Sequence, residues 1–246
     1  MTKKLNSNQL KIIAVCAMIF DHLLWVIKPG YDNGVVFVLL HLVGRIVAPI
    51  FCYFIAEGAF YTKNRKKYLL RLLLFALISH FAYCFAFGIN FLPFSNGTFF
   101  NQTSIMWPLA LGLVGIMIQD TKMKNVFKIL LTLLLCVLAF PADWSSVAVM
   151  IIVYNYAYRD NFKKQMISMM IFTSMYATIY AIFINVWYGL IQMGTVFAIP
   201  LLKMYNGERG NWKGMKYFFY IVYPLNLVLC GIIRICLYGN IPVLIG

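Results

Sequence analysis

The chain has 246 residues, 63% of them hydrophobic and 11% charged, with a formal net charge of +14. A soluble domain carries roughly 25% charged residues and about 45–50% apolar ones. Composition therefore excludes a soluble globular protein and predicts a single transmembrane domain over residues 1–246. The excess of Lys and Arg would point to nucleic acid in a soluble protein; here the retention of basic residues in cytoplasmic loops accounts for it, and no nucleic-acid partner is expected.

The predicted fold is all-α, a polytopic membrane helix bundle of about nine transmembrane helices. The first span covers about 10 to 27. The preceding Met-Thr-Lys-Lys resembles the basic end of a signal peptide, but no small-residue cleavage site follows, which predicts an uncleaved span. Pro29-Gly30 and Asp32-Asn33-Gly34 mark a turn. The second span, about 35 to 60, holds His41, Gly44-Arg45, Pro49 and Glu57, and a basic loop at 62 to 67 follows. The third, about 68 to 88, holds Ser79-His80 and leads into an uncharged loop at 89 to 103. The fourth covers about 104 to 119, the fifth ends at Phe140 before Pro141, and the sixth runs from Asp143 to Arg159-Asp160. The seventh covers about 166 to 185 and the eighth about 187 to 202. A polar loop from Lys203 to Lys216 precedes the ninth, about 217 to 238.

An N-terminus in the cytoplasm places all the Lys and Arg residues except Lys28, Arg45 and Arg234 on the inner side. That partition predicts N-terminus in and C-terminus out. The six cysteines, at positions 16, 52, 84, 136, 230 and 236, fall in apolar stretches without a metal-ligand spacing, and read as buried thiols rather than disulfides or a metal site.

The chemistry concentrates in the first span. Asp21-His22 lies deep in an apolar segment, where ionisable groups are costly and mark functional sites. Lys11 precedes His22 by eleven residues, three helical turns with about 20° left over, so both lie on one face roughly 16 Å apart. A cation at one surface and an imidazole far along the same stripe suit a long, anionic-headed substrate. Arg45, His41, His80 and Asp143 share the outer half of the membrane in this topology. Each also has a structural reading: Asp21 and Arg45 as mutual counter-ions, Asp143 as a helix cap, His41 as a packing residue, and Glu57 as the partner of Arg65. Pro49, Pro200 and Pro224 read as helix kinks. Adjacent helical residues point about 100° apart, so any group that orients His22 comes from another helix rather than from Asp21.

Several motifs belong together: Asp21-His22, Gly44-Arg45 with Pro49 and Phe51, Glu57-Gly58, Tyr68 with Arg71-Leu72, Tyr205-Asn206-Gly207-Glu208-Arg209-Gly210, and Tyr217-Phe218 with Tyr220 and Tyr223-Pro224. Their combination resembles the TraX family, whose named member is a conjugative pilin N-acetylase. The spacing of Lys11 and His22 is also similar to the Arg-x10-His signature of the membrane acyltransferase-three superfamily.

The resemblance implies a multi-pass protein of the bacterial cytoplasmic membrane. It would transfer an acetyl group from acetyl-CoA to the N-terminal amine of a pilin-like or other peptide, or to an extracytoplasmic glycan hydroxyl. His22, Asp21, Arg45 and His80 are the expected catalytic residues. Lys11, Arg71, Glu208, Arg209 and Lys213 are the expected CoA-binding residues. The family's usual Tyr-Pro-x-His-Leu is here Tyr223-Pro224-Leu225-Asn226-Leu227, and Asn226 hydrogen-bonds but is no base at neutral pH. A non-catalytic assembly component and a small-solute transporter are the competing expectations.

Overall fold

The computed structural model describes residues 4–30, 34–95, 97–212 and 214–242, the side chain of residue 216 excepted. Its elements are α1 (Ser7–Ile27), α2 (Val35–His41), α3 (Val47–Tyr61), α4 (Arg65–Phe87), α5 (Met106–Gln119), α6 (Asn125–Ala139), α7 (Ser145–Ala157), α8 (Phe162–Phe183), α9 (Val186–Gln192), α10 (Ala198–Lys203) and α11 (Met215–Tyr238). Short 3-10 turns at Val43–Ile46 and Met193–Phe197 join α2 to α3 and α9 to α10. Among the described residues, six stretches are long and apolar enough to cross a membrane: α1, the α2–α3 pair, α4, α8, the α9–α10 pair and Tyr217–Tyr238. The fourth, fifth and sixth expected spans are present as shorter helices, α5, α6 and α7, of 14, 15 and 13 residues. A full crossing takes about 20 residues.

Local chemistry sets the boundaries. The Asn6 side chain accepts from the Gln9 amide and the Gln9 side chain from the Asn6 amide, a capping box that starts α1 three residues before the expected Leu10. Asn64, Asn161 and Asn185 cap α4, α8 and α9 with their side chains alone, each accepting from first-turn amides. The two broken spans share a cause. Pro49 removes the donor that would bond the carbonyl of Arg45, and Pro200 does the same for Val196, so each 3-10 turn lies one helical turn before its proline. Pro224, by contrast, lies within a continuous α11.

Without a hydrophobic drive between helices in lipid, packing depends on close contact across small residues. A Cβ on Gly112 of α5 would lie 2.5 Å from Ile152 of α7, and one on Gly115 2.7 Å from Val153, so glycine sets the α5–α7 spacing. The centre of the bundle holds α1, α3, α5 and α7; α11 packs on α1 and α4, and α8 on α7 and α9. Exposed Val126, Ile129, Leu130, Leu133, Leu134 and Val137 turn one face of α6 outward. The Tyr205–Gly210 motif is structural: Lys4 and Leu5 amides donate to Met204, the Ser7 amide donates to the Glu208 carbonyl, and the Asn206 amide donates to Leu5. These bonds hold the chain start beside the α10–α11 loop.

Two ion-pair expectations resolve differently. Asp21 and Arg45 are counter-ions, as one of the readings held. Glu57 pairs not with Arg65 but with Arg159, at 3.1 Å, because α7 packs on α3 and delivers Arg159 from just beyond its end. Arg65 turns instead to Asp120 and to the Tyr156 hydroxyl. Arg234 is 1% exposed. Its guanidinium donates to the carbonyls of Phe85, Ala86, Gly239 and Ile241, which ties the end of α4 to the end of α11. All six cysteines are free thiols.

Candidate active site

The two broken helices cross at their 3-10 turns, where Gly194 faces Leu42 and Arg45. The crossing brings the Arg45 side chain onto α1. Its Nη2 donates to Asp21 Oδ2 at 2.8 Å, its Nη1 to Gln192 Oε1 at 3.1 Å, and its Nε to the His41 carbonyl at 3.3 Å. The other Asp21 oxygen, Oδ1, lies 2.8 Å from His41 Nδ1. An acidic partner fixes the His41 tautomer, with the proton on Nδ1 donated to the carboxylate. Trp25 and Tyr188 then enclose the His41 ring, with centroids at 4.5 and 5.7 Å. Asp21 approaches so closely that a Cβ on Gly44 would fall 2.2 Å from its Cγ. Glycine at position 44 is therefore a steric condition of the ion pair.

His22 points elsewhere, as the 100° offset requires. Asn226 of α11 meets it, with the amide nitrogen 2.6 Å from His22 Nδ1. The Tyr223 ring, one turn earlier on α11, lies 5.9 Å from the imidazole. In this orientation Asn226 donates and His22 carries its proton on Nε2. A half-turn of the amide presents Oδ1 instead, which accepts from Nδ1–H and leaves Nε2 as the basic atom. The orienting group does come from another helix, and it is the residue at which the closing motif departs from the usual histidine.

Asp21, His22, Arg45, Gln192, Asn101 and Asp143 line one small cavity of about 80 Å³ in the half of the bundle reached by the end of α1. Asp143 does not cap α7. The capping position falls on Trp144, whose φ of 61° turns the chain, and no side chain caps the helix. The Asp143 carboxylate is left at the chamber wall. Asn101, at φ 53°, brings the uncharged loop over the same chamber, and the loop is pinned there by bonds from Gln102 to Pro141 and from Asp143 to Thr103.

His80 is not brought to this chamber. Its Nδ1 lies 3.0 Å from the Thr103 hydroxyl and its Nε2 2.8 Å from the Phe91 carbonyl, so both ring nitrogens hold the loop onto α4. Helix α4 does reach the chamber, through Tyr83 and Phe87 one and two turns further on, but His80 lies before them, where the loop engages its ring.

A second cavity, of about 750 Å³, opens at the other end of α1. Lys11, Lys63, Lys67, Arg71 and Arg209 line it. Its carboxylate, Glu57, is already paired with Arg159. Lys11 lies over the Phe54 ring at 4.8 Å, and Arg71 over Tyr68 at 5.6 Å. Arg71 Nε is buried without a hydrogen-bond partner. An orphaned guanidinium nitrogen beside several cations is what a polyanionic ligand satisfies, and the size is that of a small-molecule site. Glu208 does not join this cavity: its side chain accepts from Asn206 Nδ2 at 3.0 Å. Lys213 lies outside the described residues.

The stripe on α1 therefore places Lys11 in one cavity and His22 in the other. Reasoning from sequence missed Gln192, Asn101 and Phe219, and gave Phe51 a place in a motif but no role. Gln192 had a signal, a lone amide beside Gly194 and Pro200 that mirrors the Gly44-Arg45-Pro49 pattern of the second span. Among the described residues no cluster of His, Cys, Asp or Glu could hold a metal ion.

An all-helical bundle with this many apolar stretches and a buried Asp–Arg–His network is a multi-pass membrane protein with a polar centre. The model of the TraX family, described as TraX protein, matches residues 6–234. The chain belongs to that family. It is also 29% identical over 230 residues, 91% of this chain and 93% of the relative, to the "Probable fimbrial assembly protein FimC, serogroup H1" of Dichelobacter nodosus. No solved structure matches it significantly.

Proposed function

We propose that this protein is an acyltransferase of the cytoplasmic membrane, with nine spans and its N-terminus in the cytoplasm. It takes acetyl groups from cytoplasmic acetyl-CoA and delivers them to an acceptor outside. The observation that carries this reading is the division of labour along α1. A basic cavity lies at its start and a chamber holding an oriented imidazole lies near its end. The CoA phosphates fit Lys11, Lys67, Arg71 and Arg209, where Arg71 supplies an unpaired donor. Bound acetyl-CoA would supply an activated acetyl group, so that transfer to an amine yields an amide and the free CoA thiol.

The chain's own residues do the rest. His22, held by Asn226, takes the proton from the attacking amine or hydroxyl and gives it up on the leaving side. Arg45 uses one N–H of each nitrogen in the bonds to Asp21, Gln192 and His41. Its two remaining N–H groups can meet negative charge that develops at the chamber wall. The family and the fimbrial assembly relative favour a pilin-like peptide amine as acceptor, with a glycan hydroxyl as the substitute.

The relative's printed name also supports a non-catalytic assembly component, and one measurement separates the two. Detergent-purified protein should melt higher with free CoA, because a ligand that binds only the folded state raises its stability. Arg71→Gln should weaken CoA by about 1.5–3 kcal/mol, roughly ten- to a hundredfold, the worth of a hydrogen bond to a charged group. The absence of any CoA-dependent shift in the parent protein would leave the assembly role in place of the enzyme.

A further inference from the structure

The two cavities on α1 meet at one place. Phe51 and Phe219 line both, and among the described residues they alone are common to the two linings. Their rings stand face to face across the boundary, centroids 3.8 Å apart and inclined by 31°. Both are buried. Helix α3 packs chiefly on α1, α5 and α7, and α11 on α1 and α4. Helices α3 and α11 pack on these others more than on each other, and the two rings bridge them. Phe51 lies in the first turns of α3, two residues after Pro49 and just past the 3-10 turn that carries Arg45. Phe219 stacks on Tyr223 at 5.7 Å, and Tyr223 neighbours His22. Each ring is thus attached to one wall of the reaction chamber.

We propose that Phe51 and Phe219 form an aromatic gate between the anion-binding cavity and the His22 chamber, and that this gate sets the upper size of the acyl group the protein transfers. The inference rests on the acyl-CoA reading above and deepens it. The volumes support a size limit. The basic cavity has about 750 Å³ and takes a nucleotide-sized anion, whereas the chamber has about 80 Å³, the room of a few water molecules. A thin, unbranched arm ending in a two-carbon acyl group displaces one pair of rings. A longer chain needs volume that Phe51, Phe219 and Tyr223 occupy. In the resting state the closed rings separate the imidazole from the basic cavity and its water.

Two readouts test this. In the first, His22→Cys is challenged in inside-out membrane vesicles with a charged methanethiosulfonate, and modification at residue 22 is followed by peptide mass spectrometry. Lys11→Cys serves as the reference on the near side of the gate. With both rings present, residue 22 should react at least tenfold more slowly than residue 11. Adding Phe51→Ala or Phe219→Ala should remove most of that difference. Equal rates with the rings intact would overturn the gate. In the second, transfer from acetyl-, butyryl- and hexanoyl-CoA is compared. Phe51→Ala should raise the butyryl-to-acetyl ratio at least tenfold, and an unchanged ratio would overturn the size limit. Phe51→Leu and Phe219→Leu serve if the alanine variants do not fold, with smaller shifts in the same direction. If CoA fails to bind at all, the donor reading falls, while the labelling rates still decide whether the rings close the passage.

Discussion

Replacement of His22 by Gln should lower acetyl transfer by about 10²–10⁴-fold, the usual contribution of a positioned acid–base group, and leave the melting temperature close to that of the parent. Glutamine keeps a polar partner for Asn226, which lies 2.6 Å from His22 and would otherwise lose its bond, but it takes up no proton. His22→Ala should be equally inactive and somewhat less stable, because the buried amide is then unsatisfied. Both variants should keep their CoA-dependent thermal shift, since His22 lies in the small chamber and not in the basic cavity. Activity measured alongside CoA binding checks the expectation. Loss of activity together with loss of CoA binding would indicate a structural role instead.

Removal of Asp21 should have the largest effect on stability. Its two oxygens meet Arg45 and His41 at 2.8 Å each, and all three residues are largely shielded. Asp21→Ala leaves the guanidinium as an uncompensated buried charge, which costs about 3–5 kcal/mol when one partner of such a pair is deleted. Thermal or denaturant unfolding in detergent should show this loss. The double variant Asp21→Ala with Arg45→Met should recover a large part of it, because the charge left behind is then gone. A double variant no more stable than Asp21→Ala alone would mean that the pair does not account for the loss. Gly44→Ala should act in the same direction as Asp21→Ala, since its Cβ would occupy the position of the Asp21 carboxylate.

The sequence made α1 and its chemistry legible because both signals are local. An apolar run with an embedded Asp-His announces itself, and helical periodicity alone puts Lys11 and His22 on one face. The Asp21–Arg45 pair was also visible, since few opposite charges are available inside the apolar segments. What could not be read depends on which helices pack together. Glu57 is eight residues from Arg65, yet it pairs with Arg159 because α7 and not α4 lies beside it. His80 was expected at the depth of His22, but α4 lines the chamber with Tyr83 and Phe87, and the loop takes both His80 nitrogens. Asp143 follows a proline as a cap would, but the positive φ of Trp144 moves the helix start by one residue and turns the carboxylate into the chamber. Asn226 departs from a motif, which the sequence shows, and only the contact of α1 with α11 gives it a partner. Phe51 stands in the Gly44-Arg45-Pro49 motif, but nothing in the sequence pairs it with Phe219, one of 21 phenylalanines.

The central claim, a donor on one face and an acceptor on the other with His22 between them, is tested most directly by sidedness. Inside-out membrane vesicles holding the protein are loaded with a short peptide bearing a free N-terminal amine and an oligosaccharide, then supplied externally with isotope-labelled acetyl-CoA. Mass spectrometry should find labelled acetyl groups on the enclosed acceptor with the parent protein and none above background with His22→Gln. Labelled acetyl-CoA entering intact, or an acceptor that stays unlabelled with the parent protein while CoA still binds, would contradict the account.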